Sequence, residues 1–216
     1  MRQKINLLSG PVFPSLTKLA LPIMATSLVQ MAYNLTDMIW IGRISSNAVA
    51  SVGAAGMYMW FANGIAALSK MGGQVKVGHA LGASENENAV SYARNAIQLA
   101  LFFGFLYGFL CLILRKPLIG FFKLNSASVI RDAEAYLIVT CGLVVFSFLN
   151  QVFTGILTAM GNSRTSFLAT AVGLVINIVL DPVLIFGIGP FPRMEVLGAA
   201  IATVFAQAIV TSVFLF

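Results

Sequence analysis

Residues 165–187 read TSFLATAVGLVINIVLDPVLIFG, and this stretch decides what kind of protein is encoded. It carries one charged residue, Asp181, and one proline, Pro182. A helix needs about 20 apolar residues to cross the hydrocarbon of a bilayer, and this stretch supplies them. Runs of the same character flank it. Apart from Asp37, no Asp, Glu, Lys or Arg occurs from Leu19 to Gly42, and charge-free runs cover Ile44–Ser69, Asn95–Leu114, Ala135–Ser163 and Val196–Phe216. Of the 216 residues, 59% are hydrophobic and 9% charged; a soluble domain carries roughly 25% charged residues to cover its wet surface. The sequence therefore predicts an all-α polytopic membrane protein, because lipid offers no partner to backbone groups left outside a helix.

Six transmembrane helices are predicted, over about 16–41, 48–71, 93–114, 131–160, 165–186 and 196–216, forming one unit across residues 1–216. A short interfacial segment ending near Pro14 precedes them. The first apolar run contains Gln30, Asn34 and Asp37 and exceeds a signal-peptide core in length, so it reads as an uncleaved helix. The stretch KMGGQVKVGHALGASENENA, residues 70–89, reads as the first substantial polar loop, with His79 solvated in it. An even number of spans places both termini on one side of the membrane. Seven basic residues on that side against six on the other do not choose which side it is. The final SVFLF, residues 212–216, has no polar tail and suggests an interruption of a longer polypeptide; a half-size chain that pairs with a second copy is the alternative.

The net charge of +6 comes from basic residues beside hydrophobic ends, where they anchor to headgroups; no nucleic-acid partner is expected. Cys111 and Cys141 fall inside helices and read as small apolar groups. The glycines at 72, 73, 78 and 82 lack the GK[ST] ending of a phosphate-binding loop. Neither an enzyme nor a bound cofactor is expected, and the lipid bilayer is the partner that composition names.

Chemistry concentrates on four helical faces. Thr26, Gln30, Tyr33, Asn34 and Asp37 align in the first helix, and Ser166, Thr170, Gly173, Asn177 and Asp181 in the fifth. Asn150, Thr154 and Thr158 align in the fourth, and Thr203, Gln207 and Thr211 in the sixth. One polar seam per helix suggests a bundle around a wet cavity, although the Ser and Thr stripes equally suit polar contacts between helices. The two aspartates point more firmly to function, because an intramembrane acid costs roughly 2.5–3.5 kcal/mol and persists where it faces a cavity, a partner or an ion. Oxygens of Asp, Asn and Thr suit a proton or a hard cation such as sodium, and the sequence leaves the two open. Pro22 and Pro182 each remove a helical hydrogen bond; they are candidate hinges or static kinks.

These residues resemble the N-terminal lobe of the multidrug and toxic compound extrusion (MATE) family in its prokaryotic form. The resemblance is carried by LALPIMATSLVQMAYNLTDMIWIGRIS (19–45), VGHALGASENENA (77–89), GILTAMGNSRTSFLATAVGLVINIVLDPVLIFG (155–187) and LGAAIATVFAQ (197–207); NIVLDPVLIFG is its most specific part. His79 is a small departure, standing where glutamine is more usual. The resemblance implies a twelve-helix transporter of two six-helix lobes in the cell membrane, this chain being the first, with both of its termini cytoplasmic. It implies alternating-access export of cationic amphipathic compounds against protons or sodium ions. Asp37 and Asp181 would be the coupling acids, supported by Asn177 and Thr203, and these four would hold sodium if sodium is the ion. Gln30, Tyr33, Asn34, Thr170, Asn150, Thr154 and Gln207 would line the substrate cavity.

Two other readings compete. A lipid-linked saccharide flippase of the same superfamily should have a strongly cationic cavity, whereas the predicted spans contain acids and no internal Lys or Arg row. An intramembrane aspartyl protease would place its acid in GxGD, whereas Asp181 lies in VLDP.

Overall fold

The computed structural model describes residues 12–215. Eight helices follow one another: α1 (Val12–Gly42), α2 (Ser46–Gly82), α3 (Asn86–Ile113), α4 (Arg115–Gly120), α5 (Ala127–Gly142), α6 (Val145–Ala159), α7 (Ser163–Phe186) and α8 (Glu195–Leu215). Among the described residues there is no strand.

Helix α1 begins before Pro14, so the expected break ahead of the first span is not where it was read; most of the expected interfacial segment lies outside the described residues. The larger departure is α2. The sequence ends this helix near residue 71 with a continuation toward Gly78; it runs on to Gly82, so the first half of the expected polar loop is helical. Gly72 and Gly73 lie inside this helix, although glycine costs a helix interior about 1 kcal/mol. The packing explains why the helix tolerates it. A Cβ built on Gly73 would lie 2.5 Å from the Cβ of Ala96, so glycine is what lets α2 and α3 touch. The α2–α3 turn closes at Ala83–Glu85, and α3 starts at Asn86 rather than about 93.

The expected fourth helix, 131–160, is two helices. It bends by 44° between α5 and α6. Around the break the i→i−4 ladder gives way to shorter bonds, Val144 N–H to the Cys141 carbonyl and Phe146 N–H to the Leu143 carbonyl, each 3.3 Å. Glycines sit where the elements cross here: a Cβ on Gly108 of α3 would be 2.9 Å from the Cys141 carbonyl oxygen. By contrast, α1 and α7 run as helices straight through Pro22 and Pro182. Two smaller differences are the short α4 after Arg115 and a start of α7 at Ser163 rather than 165.

The interior is built from small residues. Ala62, Ala66, Ala96 and Ala100 bury themselves with Phe148 and Val152 between α2, α3 and α6. Ala55, Ala133, Leu137, Ile185 and Ala199 belong to a second cluster, joining α2, α5, α7 and α8. Small residues allow the close helix approach on which packing in lipid depends. Large apolar side chains face outward instead, among them Phe102, Phe105 and Phe109 on α3 and Leu168, Val175 and Val179 on α7. Helices α3, α7 and α8 have stretches of mean hydropathy 2.2, 2.2 and 2.0 and are long enough to span a bilayer, and the bent pair α5–α6 has the length and composition to do so when taken as one span. Helices α1 and α2 are longer, at 31 and 37 residues, but polar and small residues dilute their hydropathy. The α7–α8 connection turns at Gly187, whose φ of 73° is left-handed and whose Cβ position is filled by the Arg193 backbone, 2.6 Å away.

Candidate functional site

Helices α1, α7 and α8 converge on a buried polar cluster. Asp37 lies five residues before the end of α1. Asn177 and Asp181 occupy one face of α7 one turn apart, and Thr203 faces them from α8. Asn177 and Asp181 are fully buried, and Thr203 and Asp37 are 6% and 9% exposed. The Thr203 hydroxyl donates to Asp37 Oδ2 at 3.3 Å, and Asn177 Nδ2 donates to Asp181 Oδ1 at 3.1 Å. Asp37 also interacts directly with the Asp181 carboxyl and with Asn177, which ties the two pairs into one group of four. The Tyr33 side chain lies beside Thr203 and both acids.

The cluster is incompletely satisfied. Asp37 Oδ1, Asp181 Oδ2 and Asn177 Oδ1 are buried and accept no hydrogen bond among the described residues. Leaving a buried polar group unpaired costs about 1–3 kcal/mol, and more when it is charged. Three such acceptors in one place make a receptacle for positive charge. Oxygens from two carboxylates, an amide and a hydroxyl are the hard donors that protons and small hard cations prefer.

A cavity of about 460 Å³ opens beside the cluster. Gln30, Tyr33, Asn34 and Asp37 of α1, Asn150 and Thr154 of α6, Thr170 of α7, and Thr203 and Gln207 of α8 all line it. Asp181 and Asn177 are not on its wall; they sit behind Asp37 and Thr203, shut off from the open space. Several lining groups are already engaged. Asn150 donates to the Gln207 carbonyl at 2.9 Å and accepts from the Thr211 hydroxyl at 2.8 Å, which makes it a clasp between α6 and α8. The Thr170 hydroxyl bonds back to the Ser166 carbonyl at 2.9 Å. Pro22 lies away from the cluster, with its carbonyl taken by the Thr26 hydroxyl at 2.8 Å, and Pro182 directly follows Asp181.

The seams of four helices left part of the wall unread. Helix α2 contributes Met59, Trp60, Asn63 and Lys70, α5 contributes Tyr136 and Thr140, and α6 adds Ser147 and Gln151. Asn63 was legible as a polar residue in the middle of the charge-free run 44–69. Lys70 was hidden by its assignment to a loop. Among the described residues a lysine therefore does line the cavity, Lys70 alone rather than a row.

The MatE family model matches residues 22–183. A probable multidrug resistance protein NorM of Thermotoga maritima is 33% identical over 193 residues, which is 89% of this chain and 41% of that protein. An FAD transporter of Shewanella oneidensis is 29% identical, over 98% of this chain and 47% of its own length. Among solved structures, a MOP superfamily transporter from Pyrococcus furiosus, described as having a binding pocket of reverse polarity, superposes with a TM-score of 0.90 at 26% identity, covering 98% of this chain and 46% of its own. The chain thus spans less than half the length of each of these relatives. Two of the three are transporters by name and the other is a probable multidrug resistance protein; none lends anything to a protease.

Proposed function

The chain belongs to the MatE family, and from that we propose that it forms the first six-helix lobe of a cation-coupled antiporter that exports organic compounds by alternating access. A second six-helix lobe completes the transporter, which lies in the cell membrane with both termini of this lobe cytoplasmic. The observation that carries the reading is the trio of unpartnered buried oxygens, Asp37 Oδ1, Asp181 Oδ2 and Asn177 Oδ1. Two carboxylates in contact cannot both stay negative in a dry pocket, so the pair calls for a proton or a sodium ion between them.

Exchange follows from competition for that charge. With its acids uncompensated, the seam between α1, α7 and α8 is electrostatically strained, and Asp37, the member on the cavity wall, attracts a cationic substrate. Uptake of the coupling ion neutralises the pair, removes that attraction and lets α1 pack more closely on α7 and α8, with Pro22 as its point of bending. A ligand shifts such an equilibrium only by its differential affinity for the two states; here substrate and ion compete for the same carboxylates.

The test is dye efflux from cells expressing the full-length gene, with the proton and sodium gradients collapsed separately. Asp37→Asn and Asp181→Asn should each abolish efflux, and the gradient whose collapse stops the wild type names the ion. Undiminished efflux in both variants would make the acids structural and move the coupling site elsewhere.

A further inference from the structure

The far wall of the cavity carries the opposite charge. Lys70 lines it. Among the described residues the ion pair is Arg193–Glu195, and no carboxylate stands against the Lys70 ammonium. The lysine stem is held by α6: Gly155 has no side chain, and a Cβ there would come within 3.0 Å of Lys70 Cγ. Two helical turns earlier on the same face of α2 is Asn63. Its Oδ1 accepts from Gln151 Nε2 at 2.9 Å and from the Ser147 hydroxyl at 3.5 Å. The acceptor end of this amide is therefore spent, and its Nδ2 is left to donate. Trp60 lines the same wall and is 77% exposed, a flat apolar face open to a ligand.

A cation, an outward-facing amide donor and an indole face together suit a planar organic group bearing negatively charged oxygens. They do not suit a substrate that is only a cation, which Lys70 repels. Because Asp37 and Lys70 share one cavity, a ligand with charges of both signs satisfies both ends.

We propose that Lys70, Asn63 and Trp60 form an anion-binding subsite that takes the carboxylate or phosphate of a planar, amphoteric substrate. This rests on reading the cavity as the transport chamber and names the class of compound it admits. The subsite then sets selectivity: its contacts are lost by purely cationic compounds and gained by those with an acidic group.

The experiment measures equilibrium binding to the purified full-length protein with three fluorescent probes. Ethidium is a permanent cation with no acidic group, ciprofloxacin is an aromatic zwitterion with a carboxylate, and flavin mononucleotide carries a phosphate. Lys70→Met should weaken ciprofloxacin and flavin mononucleotide about tenfold, the loss of one charge-assisted contact, and should tighten ethidium. The larger of the two losses names the preferred anion. Lys70→Arg should keep both acidic probes, and Asn63→Asp, which turns the free donor into an acceptor, should weaken them again. Opposite signs for ethidium and the acidic probes are beyond what a misfolded variant produces. Parallel changes in all three, acidic probes indifferent to Lys70→Met, or a wild type that binds neither acidic probe would each overturn the proposal. Opposite responses in a wild type that moves no probe across proteoliposomes would support the subsite and overturn the transport reading.

Discussion

Two helix interfaces in this lobe are built on opposite principles. Between α2, α3 and α6 the buried groups are alanine, valine and phenylalanine, and Gly73 brings two backbones into contact. These side chains need no hydrogen bond; the polar contacts of α2 with its neighbours, Tyr107 to the Tyr58 carbonyl and Gln151 to Asn63, lie beside them. Between α1, α7 and α8 the contact is made by Asp37, Asn177, Asp181 and Thr203, and three of their oxygens lack donors. The first interface is finished when the chain folds. The second is finished only when something arrives from outside, which suits a frame on one side and a working joint on the other.

The sharpest way to break this contrast is to complete the joint by mutation. Asp181→Asn supplies a donor and removes a charge, so it should abolish efflux while the detergent melting temperature holds or rises. A matching loss of stability would mean the acids are structural. The converse is to disturb the frame. Gly73→Leu places four carbons where Ala96 leaves no room and should cost about 3 kcal/mol or more, seen as a collapse of melting temperature and monodisperse yield. A well-folded Gly73→Leu protein would show that α2 and α3 are not sealed as described.

How much of this was legible follows the same division. The joint announced itself, because polar residues at helical spacing inside apolar runs stand out, and Asp37 and Asp181 are costly enough in lipid to require a reason. The frame concealed itself. Glycine at 72 and 73 has the same signature whether it ends a helix or lets two helices meet, and only the position of Ala96 decides between them. Lys70, at the junction of the expected helix and loop, was counted with the loop, and one end of the cavity went with it. The bend between α5 and α6 was equally silent, since residues 135–163 carry no charge and no proline to mark it, and it lies where α3 passes close at Gly108.

Two smaller effects grade the joint itself. Thr203→Val removes the donor to Asp37 and should cost about 1 kcal/mol together with a partial loss of efflux; Thr203→Ser should restore both. An intact Val variant beside a defective Ser variant would show that the methyl group, not the hydroxyl, matters. Thr211→Val opens the clasp on Asn150 and should cost only about 0.6 kcal/mol, the average for polar contacts between membrane helices, measured as a small shift in melting temperature with efflux retained.

The length of α2 has a mechanical consequence. Its 37 residues make a rod about 55 Å long at 1.5 Å per residue, against a hydrocarbon layer of about 30 Å. The helix outreaches that layer, and the α2–α3 hairpin at one end of it has an exposed tip at Ser84 and Glu85. A tilt of about 5° about the opposite end would swing that tip by about 5 Å. The hairpin is a pointer on a dial: a fluorophore at Ser84 would register small rotations of the cavity wall as distances large enough to time one molecule at a time.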